Sequence, residues 1–225
     1  MRQILFSAAI GYLLGSIPFG YLLVRVFRGE DVRTTGSGNI GATNVARTSP
    51  ILGVSTLLLD ALKGCAAVLA AIVLSRSAVL GYAYSNVPWR LNYPGTPAPS
   101  IVATSAAVAA LFAILGHVFP VWLRFRGGKG VATAVGAFSL LAPSAIFAAV
   151  ALFLLVAFLS RYISLSSLIA AASFPILTWL FYRHEFPGSV MFVISIASCV
   201  IIVRHYQNIR RLLAGTEPRF QLRYK

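Results

Sequence analysis

Acidic residues are nearly absent from this chain. Its 225 residues hold five Asp and Glu against nineteen Lys and Arg, a formal net charge of +14. Charge of either sign is scarce as well, at 11%, where a soluble domain carries about a quarter. With 58% hydrophobic residues, this excludes an ordinary soluble domain and predicts a polytopic membrane protein, one membrane-embedded domain over residues 1–225. Cysteine is limited to Cys65 and Cys199, each inside an apolar run with no CxxC spacing or histidine partner; both read as small buried hydrophobes. There is no HExxH, no cysteine cluster and no carboxylate pair, so neither a metal centre nor a cofactor is expected. No Ser/His/Asp triad can be assigned. The basic excess points to anionic lipid headgroups or an anionic substrate. Nucleic acid is not expected, because no basic soluble module is present.

What the chain has in abundance is apolar sequence. A requirement of about 20 residues per crossing yields seven segments: 3–27, 51–74, 100–123, 130–142, 144–159, 165–182 and 189–203. The first is too long for a cleavable signal and reads as a span. The fourth is short, roughly twenty ångströms of helix, and Pro143 separates it from the fifth. Seven crossings with the N-terminus outside put fourteen of the nineteen Lys and Arg on the inner side, four outside and Lys63 within a span. Fusing the fourth and fifth segments would move Arg161 and the basic C-terminus outside. The positive-inside rule therefore favours seven, with a cytoplasmic C-terminus. Residues 75–99, rich in Pro, Tyr and Asn and containing Trp89, read as an outer interfacial loop.

Three polar clusters then share the inner face. Residues 36–47, GSGNIGATNVAR, combine Gly36, Gly38 and Gly41 with Ser37, Asn39, Thr43, Asn44 and Arg47, a composition suited to turning amides toward a phosphate. The GxGxxG spelling is no dinucleotide loop, since no strand or βαβ unit surrounds it. Residues 124–130, RFRGGKG, let the chain double back around Lys129 before a helix whose N-terminal amides favour an anion. GGKG lacks Walker A spacing. The third cluster is split between Ser164, Ser166 and Ser167 and the stretch Arg204, His205, Asn208, Arg210 and Arg211. Ser164 suits an N-cap; His205 and Asn208 share a face if the helix continues. Arg210 and Arg211 read as headgroup contacts. Asp60 and Lys63 form an i, i+3 pair inside a span, read as structural pairing facing protein, and His117 as a packed histidine. His184 and Glu185 lie on an outer turn, away from the clusters.

Such a site is rich in cations and neutral donors and poor in bases. It suits two phosphate-bearing molecules and catalysis by positioning and electrostatics. The H-x4-D pattern is absent: Trp122, Ser189 and Arg210 stand where its aspartate would be. Several long motifs carry a resemblance that covers nearly the whole chain: GSIPFG at 15–20, DVRTTGSGNIGATNVAR at 31–47, DALKG at 60–64, GHVFPVWLRFRGGKGVAT at 116–133, SLSS at 164–167 and RHYQNIRRLLAGTE at 204–217. The sequence resembles the bacterial acyl-phosphate:glycerol-3-phosphate acyltransferase family (PlsY). The resemblance implies transfer of an acyl group from acyl-phosphate to the 1-hydroxyl of glycerol-3-phosphate, giving lysophosphatidic acid and phosphate without a covalent acyl-enzyme. It implies that Ser37, Gly38, Asn39, Gly41 and Thr43 hold the acyl-phosphate. It also implies that Arg47, Lys129, Ser167, His205 and Asn208 hold glycerol-3-phosphate. Ser37, Lys129, His205 and Asn208 are the expected catalytic residues. Membrane lipids and the enzyme that produces the acyl-phosphate are expected partners, and the inner cell membrane the expected location. A transporter or flippase for an organic phosphate or anionic lipid is the alternative. It is weakened by the absence of an internal repeat and by clusters gathered on one face.

Overall fold

The computed structural model describes residues 2–83 and 98–220, with side chains described over 2–75 and 101–220. Among the described residues every regular element is helical. In chain order they are α1 (Arg2–Gly15), α2 (Phe19–Arg28), α3 (Ala42–Thr48), α4 (Pro50–Ala83), α5 (Ala98–Val118), α6 (Val131–Leu141), α7 (Pro143–Ser160), α8 (Ile163–Tyr182), α9 (Gly188–Arg204) and α10 (Tyr206–Leu213).

Glycine sets the closest packing. A Cβ on Gly11 or Gly15 would strike the Ala109 or Ala113 carbonyl, and one on Gly116 would strike the Tyr12 carbonyl, so α1 and α5 meet backbone to backbone. Gly64 and Gly136 do the same between α4 and α6, against the carbonyls of Thr133 and Ala61. This is how membrane helices associate where lipid supplies no hydrophobic drive between them. Val68, Ile114, Phe138, Phe174 and Ile194 fill the core that joins α4, α5, α6, α8 and α9. Phe147 and Phe158 of α7 face outward, as a lipid-facing helix requires.

Five stretches are long and apolar enough to cross a membrane: Arg2–Arg28, Pro50–Ser75, Ile101–Leu123, Pro143–Ser160 and Ile163–Tyr182. The pair α9 and α10 passes only when joined across a 56° bend, and α6 is a shorter apolar helix. Four expectations change. The first segment is broken at residues 16–18, where Pro18 brings no N–H to the helix. The third segment ends as a helix at Val118 and passes through a 3-10 turn at Val121–Leu123. The expected loop 75–99 is helical at 75–83 and at 98–99, with 84–97, including Trp89, outside the described residues. Cys199 is exposed on the protein surface, and Cys65 is only partly covered, because both lie toward the lipid-facing side of their helices.

Candidate active site

The turn before Lys129 is built on glycine. Gly127 N–H donates to the Val118 carbonyl (3.1 Å) and Gly128 N–H to the His117 carbonyl (3.0 Å), folding the chain back along the end of α5. A Cβ on Gly127 would strike the His117 carbonyl, and one on Gly128 the imidazole. Gly130 takes φ +86, a left-handed conformation that only glycine adopts freely, and starts α6. Arg124 and Phe125 also hold positive φ, 51 and 61, without being glycine.

Lys129 then reaches across to α10. Its Nζ donates to Asn208 Oδ1 at 2.7 Å, Asn208 Nδ2 donates to Glu217 Oε1 at 2.7 Å, and Arg211 Nε donates to Glu217 Oε2 at 2.6 Å. Each link fixes the orientation of the next, so the Asn208 amide can face Lys129 in only one way. Burial lowers the Lys129 ammonium to about 8; Glu217 opposes that shift, and Arg211, Arg47 and Arg204 add to it. Burial would raise the Glu217 carboxyl, but the Ser164 hydroxyl beside it and then its hydrogen bonds from Asn208 and Arg211 hold it below the ordinary carboxylate value. His205 sits in the bend between α9 and α10, fully covered, with Nδ1 2.7 Å from the Ile201 carbonyl. A carbonyl only accepts, so Nδ1 carries the proton and neutral Nε2 keeps a free lone pair.

Ser166 and Ser167 are buried in the first turns of α8 and donate to the Tyr162 and Ile163 carbonyls, each at 2.9 Å. The Ser167 hydroxyl therefore has acceptor capacity left but its proton is engaged. Ser164 is not an N-cap: the residue preceding α8 is Tyr162, without a side-chain cap, and Ser164 lies within the helix. The C-terminal stretch docks beside this turn, with Phe220 N–H donating to the Arg161 carbonyl at 2.7 Å. That contact brings both halves of the third cluster under one segment.

The glycine-rich segment is organised by Asn44. Its buried amide donates to the carbonyls of Val32, Thr35 and Asn39 at 3.1, 3.1 and 2.9 Å, and accepts from Ser37 N–H at 2.8 Å. Asn44 is thus an internal pin, where the sequence suggested one more donor for a ligand. Gly38 N–H is engaged by the Thr35 carbonyl and Gly41 N–H by Asn39 Oδ1. Gly36 and Gly38 adopt φ +55 and +68. The side chains of Ser37, Thr43 and Arg47 are left exposed, with Arg47 lying over Gly36.

By sequence Glu217 is an inner-face acid outside the glycine-rich clusters; the structure joins it to Lys129 through Asn208. The signal was Gly215, whose φ of +67 ends α10 and turns the chain back so that Thr216 N–H meets the Arg211 carbonyl at 2.8 Å. Arg211 is correspondingly corrected: it pairs with Glu217 and is not simply a headgroup contact. Inside the membrane segments, Lys63 Nζ lies 2.7 Å from Asp60 Oδ1, and His117 Nδ1 lies 3.5 Å from the same oxygen.

The profile of the family described as glycerol-3-phosphate acyltransferase matches residues 5–215. The chain belongs to the glycerol-3-phosphate acyltransferase family. It is 45% identical to the glycerol-3-phosphate acyltransferase of Nitrobacter winogradskyi, over 96% of this chain and 95% of that one. It is 43% identical to that of Geobacter sulfurreducens, over 98% and 100%. It is similar to the crystal structure of PlsY (YgiH), an integral membrane glycerol 3-phosphate acyltransferase, in its glycerol 3-phosphate form: TM-score 0.78, 34% identity, 97% of this chain and 96% of that one. The lysophosphatidic acid form of PlsY gives TM-score 0.76 and 32% identity, over 97% and 95%. Family membership and an all-helical, apolar architecture agree, and the enzyme reading displaces the transporter alternative.

Proposed function

We propose that the enzyme transfers the acyl group of an acyl-phosphate to the 1-hydroxyl of glycerol-3-phosphate, releasing lysophosphatidic acid and inorganic phosphate. The observation that carries this is the Lys129–Asn208–Glu217 relay, which holds a half-buried ammonium beside His205, with the charge of Arg47 acting on it. A phosphate monoester fits such a cluster through charge-assisted hydrogen bonds. Lys129 and Arg47 hold the acceptor phosphate, while the Ser167 hydroxyl oxygen, His205 Nε2 and Asn208 orient its hydroxyl. Ser37, Gly38, Asn39, Gly41 and Thr43 hold the acyl-phosphate. The Ser37, Gly38 and Gly41 N–H groups are engaged inside the loop, so the Ser37 and Thr43 hydroxyls and the Asn39 amide nitrogen supply the hydrogen bonds that withdraw electrons from the acyl carbon and stabilise the departing phosphate. The hydroxyl oxygen forms the new ester bond, the acyl–phosphate C–O bond breaks, and the hydroxyl proton leaves on the phosphate. Glu217 is a poor base for that proton, since both its oxygens already accept hydrogen bonds.

The whole chain acts as one membrane domain with seven crossings, the N-terminus outside and the site on the cytoplasmic face of the inner membrane. The enzyme that makes the acyl-phosphate is its upstream partner. The test is phosphate release by the purified protein from acyl-phosphate, with and without glycerol-3-phosphate. Release must depend on the acceptor; acceptor-independent or absent release sinks the proposal. Lys129→Ala should lower kcat/KM for the acceptor by about 1.5–3 kcal/mol, the worth of a charged hydrogen bond. An unchanged value removes Lys129 from the site.

A further inference from the structure

The chemistry above makes no use of the charges buried in the helix bundle. We infer that Asp60, Lys63 and His117 are positioning residues that hold the two substrate walls from below: Lys63 the acyl-phosphate wall and His117 the glycerol-3-phosphate wall, with Asp60 common to both. This rests on the assignment of those walls under the proposed function.

The three side chains are only 2–4% exposed. Charges at such depth are unfavourable for a helix bundle, and an apolar pair of similar volume would pack at least as well. Their contacts, however, lead outward in two directions. Lys63 Nζ donates to the Ile17 carbonyl at 2.7 Å, inside the break between α1 and α2, and lies 5.7 Å from the centre of the Phe19 ring. The same carbonyl accepts Phe19 N–H at 3.1 Å, so Lys63 anchors the residue from which α2 starts. In the first turn of α2, Gly20 lies against the Ile40 carbonyl so closely that a Cβ would collide, with Thr56 of α4 also close to the same point. Ile40 is the buried residue in the middle of the Ser37-to-Thr43 run. A shift of Ile17 is thereby passed to the donor loop through three residues of chain.

The second direction starts from the same carboxylate oxygen. Asp60 Oδ1 faces His117 Nδ1 at 3.5 Å, while Nε2 on the far side of the ring faces Gly128 with no room for a side chain. Gly128 N–H is bonded to the His117 carbonyl, and Lys129 follows it directly. Rotation of the imidazole therefore moves the turn that presents Lys129. One oxygen of Asp60 meets both Lys63 and His117.

A purely structural role would raise both KM values together or neither. A positioning role separates them by substrate. Steady-state kinetics on the purified full chain should show a donor KM raised about 3- to 10-fold in Lys63→Met and Gly20→Ala, with the acceptor KM nearly constant. Gly128→Ala and His117→Gln should show the reverse, and Asp60→Asn should raise both. The glycine variants leave every buried charge in place, so they remain informative if the charge variants do not fold. Parallel changes in both KM values across the folded variants, or none, overturn the inference. So does failure of all the variants to fold, which would assign these residues to packing alone. Wild-type protein without acceptor-dependent release would instead remove the acyltransferase proposal. An active wild type with uncrossed KM changes removes only the positioning role.

Discussion

Lys129 is held in a balance between burial, which disfavours its charge, and Glu217, which favours it. A lysine with a pKa of about 8 is charged at neutral pH and loses its proton as pH rises through that value. Acceptor kcat/KM should therefore decline above about pH 8 in the wild type. In Lys129→Arg the decline should vanish, because guanidinium stays charged. Glu217→Ala removes the influence that raises the lysine, so the decline should move to lower pH as the Asn208 amide also loses its anchor. A pH profile of kcat/KM checks all three, and an unmoved limb in Glu217→Ala would disconnect the relay from Lys129. The relay was half legible beforehand. Lys129, His205, Asn208 and Glu217 all stand in recognisable motifs, but Glu217 meets Asn208 only through the turn at Gly215, which a residue-type scan does not convert into a contact.

Among the elements, the glycine-rich loop shows how composition can point to the right place and still mislead about function inside it. Its glycines and short polar residues were visible as a cradle. That Asn44 would engage four backbone groups of its own loop was not, because an asparagine has the same composition whether it turns inward or outward. Asn44→Ala leaves those groups without partners and should destabilise the loop by about 2–4 kcal/mol. Thermal inactivation in detergent, together with a raised acyl-phosphate KM, would register this; unchanged values for both would show that the loop holds without its pin. The break at residues 16–18 was hidden for a different reason. Hydropathy across the first segment is uninterrupted, and hydropathy reports what is covered by lipid or protein, not whether a helix is continuous.

For the molecule as a whole, charge asymmetry predicts that the connection between α7 and α8 lies inside and that between α8 and α9 outside. Single reporter cysteines at Arg161→Cys and Glu185→Cys, in a Cys65→Ala/Cys199→Ala background, should react with a membrane-impermeant maleimide from opposite sides of the bilayer. Labelling of both from one side would refute the seven-crossing arrangement. The order of the long apolar helices was readable from run length, while the break between α1 and α2 and the short helices α3 and α10 were not. The backbone-to-backbone fit of α1 on α5 and α4 on α6 was not, since it depends on which glycines face each other. One of those tightly fitted helices has a further consequence. The eleven residues of α6 rise only about 16 Å, against a hydrocarbon core of about 30 Å. Lys129 stands just before its first turn. Under the proposed function, a helix that covers only half the core sets Lys129 where a donor can keep its tail in lipid while the acceptor stays in the aqueous phase. The reaction then needs neither substrate to change solvent.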